Sequence, residues 1–253
     1  MFLTISKKSV VWLCVILVFS ACQTSGYKKQ SVSANYYLID SLVAIDSLMD
    51  DEIKPYRDSL TLEMSKVIGE AERELSGGLP EGILTNFVSD LMLEECKVSV
   101  DLSQKPDVSL INVKGLRIPL QKGNITIGNI YQLMPFENEI VYLTLTKGQI
   151  IELFNYLASV GGDGIAGASF GMRDKQAVNI KVGGKALEER NYIIATSDYL
   201  ADGGDHFVVF KSAIAREGTG LKVRDAIIQH IQRLTASNKT INSQLDNRIY
   251  HAE

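Results

Sequence analysis

The sequence predicts an α+β fold in which mixed β-sheets are layered with helices. Three observations predict it. Apolar stripes at helical spacing and short strand-like runs follow one another irregularly, without the regular alternation of a doubly wound sheet. No internal repeat is present. The composition, 45% hydrophobic and 22% charged, is that of an ordinary globular chain, and about 200 residues are enough to bury one substantial core.

The elements follow in order. Ile53, Tyr56, Leu60, Met64 and Val67 recur at helical spacing, with Pro55 tolerable in a first turn, and this stripe is expected to face the core. Gly77-Gly78-Leu79-Pro80 breaks the pattern. A second helix begins near Glu81, with Leu84, Phe87, Val88, Leu91 and Met92 on one face. Cys96 ends that stripe and reads as a buried, inert thiol. Asp107 to Val113 is a short strand, Lys114-Gly115 turns the chain, and Arg117 emerges just after. Gly123 to Leu133 is a mixed segment leading to Met134-Pro135-Phe136. Glu139 to Thr146 alternates, with Val141, Leu143 and Leu145 on one side and Tyr142, Thr144 and Thr146 on the other, as a half-buried strand does. Thr146 to Gly148 starts a helix with Ile150, Leu153, Phe154 and Leu157 on one side. Gly161 to Gly167 reads as a flexible loop. Ala177 to Val182 is a strand, and Gly183-Gly184 is a hairpin turn before Lys185. Tyr192 to Thr196 is a buried strand, and Arg224 to Leu234 is the last helix.

The front of the chain reads as an export signal. Lys7 and Lys8 precede the apolar run Ser9 to Phe19, which is shorter than the ~20 residues that span a bilayer. Val18-Phe19-Ser20-Ala21-Cys22 resembles a bacterial lipobox, implying cleavage before Cys22 and lipidation of that residue; a secretory peptide cut elsewhere is the alternative. Gln23 to Ala34 is a polar tether without helical period. The expected organisation is a signal peptide over 1–21, a lipidated cysteine and tether over 22–45, and a folded domain over 46–253. The expected location is the bacterial cell envelope, attached to the membrane through Cys22. Cys14 leaves with the signal and Cys22 takes lipid, so Cys96 has no disulfide partner. The net charge of −4 argues against a nucleic-acid polymer as partner.

Two familiar patterns fail on context. Gly162 to Gly167 matches G-x-G-x-x-G, but a helix precedes it and no helix follows, so it is no dinucleotide fingerprint. Gly167-Ala168-Ser169-Phe170-Gly171 matches G-x-S-x-G. A nucleophile elbow needs a strand before and a helix after, whereas Met172 onward leads into a strand. A serine hydrolase using Ser169 with Asp205 and His230 or His251 stays as a minor alternative. His206, His230 and His251 are the three histidines, and none stands at metal-motif spacing.

What remains is a set of groups on loops at strand ends. Ser197 to Asp205 is a polar loop with Tyr199 near its start and Gly203-Gly204-Asp205 at its end. Tyr199 there is either a packing ring on a surface turn or part of a ligand grip. Asn112, Arg117 and Phe136 lie on other loops. Together with Tyr199 and Asp205 they have coherent chemistry: two rings can sandwich a flat base, a carboxylate accepts hydrogen bonds from vicinal hydroxyls, and arginine and asparagine donate.

At these residues the chain resembles the C-terminal, substrate-binding domain of the 5′-nucleotidase family. Leu110 to Arg117 is similar to the family's N-x-G-G-x-R segment. Gly123-Asn124-Ile125-Thr126 through Met134-Pro135-Phe136-Glu137-Asn138 and on to Gly148 is similar to its G-x-I-T, P-F-x-N and L-x-G segments. Thr196 to Phe207 is similar to its (N/D)-(F/Y)-L-A-x-G-G-D-G-(F/Y) segment. The resemblance implies that Phe136 and Tyr199 clamp the base, Asp205 holds the ribose hydroxyls, Asn112 reaches the base, and Arg117 reaches the sugar or phosphate. Lys114 replaces a family glycine, His206 replaces another, and Gly77-Gly78 stands where the family often has a further arginine.

The family's metallophosphoesterase motifs, D-x-H, G-N-H-(E/D) and G-H-x-H, do not occur in these 253 residues. The resemblance therefore implies a lipid-anchored nucleoside- or nucleotide-binding domain that holds no cofactor itself and supplies substrate recognition to a separately encoded metallophosphatase carrying the divalent metals. The alternative of another class is a non-catalytic nucleoside-binding lipoprotein acting alone.

Overall fold

The computed structural model describes residues 34–37, 40, 43–98 and 105–253. The chain divides into two units, Met1–Asp50 and Asp51–Glu253, and the second carries both apolar cores. The expected export signal, the lipobox with Cys22 and most of the tether lie outside the described residues.

The first helix among the described residues, α1 (Ser47–Met64), corrects one expectation. None of its residues is buried, and Ile53, Tyr56 and Leu60 are 47%, 78% and 59% exposed. Period 3.6 makes a one-sided helix, but burial also needs a facing surface. Val67 lies beyond the helix, on β1 (Val67–Ala71). In contrast α2 (Ile83–Val98) buries Leu84, Phe87, Val88, Leu91 and Met92, the face its spacing predicts. Cys96 ends this face fully buried, and burial pushes its thiol up to about 11.

The strands beyond α2 are β2 (Val108–Ile111), β3 (Gly123–Thr126), β4 (Glu139–Leu145), β5 (Gly164–Ala166) and β6 (Ala168–Arg173). After them come β7 (Gln176–Val182), β8 (Lys185–Ala186), β9 (Tyr192–Ser197), β10 (Ala215–Lys222) and β11 (Ile249–His251). Four more helices intervene: α3 (Ile127–Leu133), α4 (Lys147–Val160), the single turn α5 (Asp198–Ala201) and α6 (Val223–Ala236). Thr126 and Thr146 start α3 and α4 through reciprocal capping boxes with Asn129 and Gln149.

The central sheet runs β10-β4-β9-β2-β5. β9 and β2 are parallel, and the other pairs are antiparallel. A second mixed sheet runs β11-β6-β7-β8, and β1 pairs with β3 in a two-stranded sheet. Gly183 and Gly184 both take positive φ, as the hairpin between β7 and β8 requires.

The central sheet separates two apolar cores. Ile140 and Tyr142 of β4, Ile111 of β2 and Ala195 of β9 face the core built by α2, α3 and α6. Val141, Leu143 and Leu145 of β4, with Leu110 and Ile194, face the core built by α4 and the second sheet. β4 is thus buried on both faces from Ile140 to Leu143, where alternation suggested a half-buried strand. The alternation holds, but Tyr142 is an inward ring whose hydroxyl donates to the Cys96 carbonyl at 3.0 Å.

The segment read as a flexible loop, Gly161 to Gly167, contains β5, a buried edge strand paired to β2. Gly161 ends α4 in the left-handed region, while Gly164 serves close approach. A Cβ on Gly164 would lie 2.8 Å from the Ile111 carbonyl oxygen and 3.1 Å from Thr85. Likewise Ser197 to Asp205 is not an open loop but α5 followed by a 3₁₀ turn over Gly204–His206.

Candidate functional site

Three neighbouring strands deliver the candidate residues to one end of the central sheet. β2 and β9 run parallel, so their C-terminal ends point the same way, and β4 runs against β9 and begins there. Asn112 follows β2, Tyr199 follows β9, and Phe136 precedes β4. A cleft of about 410 Å³ opens at these strand ends, and Asn112, Arg117, Phe136, Tyr199 and Asp205 all line it, with Lys114 and Asn138 among their neighbours. Both rings are accessible, Phe136 at 43% and Tyr199 at 46%.

On the Tyr199 side, local chemistry fixes each group. Ser197 caps α5 through a bond from Leu200 N–H at 3.3 Å. Gly203 takes a positive φ of 87°, which turns the chain back. A Cβ on Gly204 would stand 2.5 Å from the Tyr199 ring, so only glycine lets the ring lie over that backbone. Asp205 and His206 follow in the left-handed region, with φ of 47° and 64°. For non-glycine residues this stores strain of order 1–3 kcal/mol each. His206 stands where the resemblance places glycine, and its positive φ shows why glycine suits that position. The Tyr156 hydroxyl, from α4, donates to the Asp205 carbonyl and holds the turn.

The Asp205 carboxylate is oriented from two sides. Tyr199 Oη donates to its Oδ1 at 3.0 Å, and Asn112 Nδ2 donates to its Oδ2 at 2.7 Å. Each oxygen retains a further lone pair, so the group can still accept from a ligand's hydroxyls. Asn112 is buried, and a Cβ on Gly115 would lie 2.7 Å from its Oδ1, so Gly115 makes room for the amide. Buried Asp163 accepts the Val113 N–H at 2.6 Å and the Gly164 N–H at 3.0 Å, tying the Asn112 turn to β5. Burial pushes its carboxyl up to about 6 despite those two bonds.

Arg117 is exposed, and its Nη1 donates to the Lys114 carbonyl at 3.4 Å. Lys114 also lines a second cavity of about 470 Å³ that shares Tyr199 and Asp205 and has Asp163 in its wall. On the Phe136 side, Glu137 pairs with both Lys222 and Arg224, and these partners lower its carboxyl to about 2.

Ser169 stands apart. It lies within β6, opposite Lys181 of β7, and borders a different cavity with Arg248 and Asp246. Of its imagined partners, Asp205 lines the cleft, and His230 Nδ1 lies 2.9 Å from Glu95 Oε1. A strand leading into a strand gives no elbow, and the serine-hydrolase alternative has no geometry behind it. Among the described residues no three His, Cys, Asp or Glu side chains converge as a metal site would.

Comparison with known proteins bears on the cleft. The family model for the 5′-nucleotidase C-terminal domain matches residues 67–212, more than half of the chain. The chain belongs to this family. The Bacillus subtilis trifunctional nucleotide phosphoesterase protein YfkN is 26% identical over 220 residues, covering 78% of this chain and 15% of that protein. A 5′-nucleotidase of Vibrio vulnificus is 23% identical over 175 residues, covering 67% of this chain and 31% of that protein. In fold, the crystal structure of a 5′-nucleotidase precursor from Thermus thermophilus matches with a TM-score of 0.67 at 24% identity, over 82% of this chain and 44% of that one. The chain spans less than half the length of each of these relatives. Its mixed sheets and helices are those of 5′-nucleotidase C-terminal domains.

Motif reading named Phe136, Tyr199, Asp205, Asn112 and Arg117 but passed over their supports. Asp163 was legible only as part of a Gly-Asp-Gly run, and Tyr156 as one more residue of a helix. A buried carboxylate beside a glycine that must pass close to another strand is visible only once β5 is paired.

Proposed function

We propose that this domain binds a nucleoside or nucleotide in the cleft between Phe136 and Tyr199 and supplies substrate recognition for nucleotide hydrolysis. The base lies between the two rings, where stacking is worth about 1–3 kcal/mol per base. The ribose hydroxyls donate to Asp205, Asn112 reaches the base, and Arg117 takes the sugar or phosphate side. One observation carries the reading: all five side chains border a single cleft of about 410 Å³, room for one such ligand. Family membership supports it.

The chemistry of hydrolysis is assigned in this proposal to a metallophosphatase that works with this domain, with a separately encoded chain as the form to be tested; the family's metal motifs do not occur among these 253 residues. Two metals would there activate water and stabilise the leaving oxygen. The lipobox-like stretch ending at Cys22 supports attachment to a membrane of the cell envelope. Calorimetric titration of the full chain with adenosine and AMP tests the binding claim. Binding that weakens about tenfold or more in Phe136→Ala and Tyr199→Ala is expected; no heat with any nucleoside overturns it. A metallophosphatase that co-purifies, and turns over faster when the chain is added, tests the partnership.

A further inference from the structure

The two rings of the cleft belong to different segments, and the sheet alone leaves the gap between them unset. Phe136 sits in the segment before β4, and Tyr199 sits on α5. A side-chain hydrogen bond crosses from one to the other: Asn138 Nδ2 donates to Asp198 Oδ1 at 2.7 Å. The same oxygen accepts the Tyr199 N–H at 2.7 Å. One atom therefore receives the Phe136 segment and holds the residue that bears the second ring.

The Phe136 segment is also fixed from behind. Val223 N–H donates to the Asn138 carbonyl at 2.9 Å. Arg224, 5% exposed, donates to the Phe136 carbonyl at 3.5 Å and to Glu137, while its guanidinium lies 4.1 Å over the Tyr131 ring. With Phe136 anchored to α6, the Asn138–Asp198 bond couples that anchor to Tyr199. Asn138 and Asp198 are both half-buried, where a charge-assisted bond is stronger than at an open surface.

We propose that Asn138 and Asp198 are positioning residues that set the width of the slot between Phe136 and Tyr199, and so its preference for a flat aromatic base; this rests on reading the cleft as a nucleoside site. The bond is an amide facing a carboxylate, so a second charge can be set against it and then removed. Asn138→Asp sets a carboxylate against Asp198, and like-charge repulsion opens the slot. Adding Asp198→Asn removes that repulsion, and its amide oxygen still accepts the Tyr199 N–H, but the bond to residue 138 is not remade, because one Asp198 oxygen served both.

Adenosine binding to the full chain, by calorimetry, tests this alongside thermal melting of the same variants. Asn138→Asp should weaken adenosine about tenfold, the loss of one charge-assisted hydrogen bond. The Asn138→Asp, Asp198→Asn double variant should bind about threefold tighter than Asn138→Asp alone, a partial rescue that a bulk effect on stability would not give. Parent-like affinity in Asn138→Asp, or a double variant no tighter than that single one, overturns the inference while leaving the nucleoside reading intact. A parent chain that binds no nucleoside removes both.

Discussion

On one side of the cleft Tyr199 is fastened by glycine, positive-φ backbone and hydrogen bonds to Asp205. On the other, Phe136 is backed by Glu137 between Lys222 and Arg224. The first wall depends chiefly on volume and dihedral angles, which salt does not touch and which pH reaches only through the buried Asp163 behind it. The second depends on an ion pair whose carboxylate is 59% exposed, which both can weaken. The Tyr199 wall should therefore be brittle to substitution, and the Phe136 wall tolerant but sensitive to conditions.

The largest expected effect breaks the brittle wall. Gly204→Ala would place its Cβ 2.5 Å from the Tyr199 ring and 2.6 Å from the Tyr199 carbonyl, and neither can yield cheaply. Overpacking of this kind costs about 1–3 kcal/mol of stability. Adenosine affinity should fall by about 10- to 100-fold as the ring moves off its seat, measured by calorimetry. A variant that binds like the parent would show that the wall is softer than described.

Next comes Asp163→Asn, which acts behind the same wall. The Asp163 carboxyl titrates near 6 in the fold, above its ordinary 3.8, so the folded chain holds that proton more tightly than the unfolded chain does. Stability therefore falls as pH rises from about 4 to 6, and the cost persists above 6. Asparagine cannot ionise, and its oxygen can still accept from Val113 and Gly164. The variant should equal the parent near pH 4 and exceed it by roughly 1–3 kcal/mol at pH 7.5. A pH-independent gap in melting temperature would contradict this.

Phe136→Ala sharpens the comparison from the other wall. Adenosine should weaken about tenfold while melting barely shifts, because the ring is 43% exposed and belongs to neither core. The smallest effect belongs to Glu137→Gln. The Glu137 carboxyl is lowered from 4.5 to about 2, so its stabilisation is complete above pH 4.5 and lost as pH falls toward 2. Parent and variant should differ slightly in melting at pH 7 in low salt and converge near pH 2 or in high salt.

Much of this molecule was legible in its residues. The α2 stripe, the β4 alternation and the Gly183-Gly184 hairpin are local patterns, and each formed where its period placed it. α1 shows the limit. Its stripe is as regular as that of α2, yet nothing among the described residues buries it, because period reports a helix and not a partner. Gly161 to Gly167 shows another. Gly164, which suggested freedom, is there because β5 passes close to Ile111 and Thr85, a tertiary fact with no local signal. At the cleft the motifs supplied the groups that face a ligand. The Asn138–Asp198 bond and the Asp163 anchor were hidden, since each joins residues 50 or 60 positions apart.

The most direct measurement is a crystal structure of the full chain soaked with adenosine or AMP. The account predicts the base between Phe136 and Tyr199, with its ribose hydroxyls on Asp205. A ligand bound elsewhere, or a cleft that stays empty at saturating concentration, would contradict it.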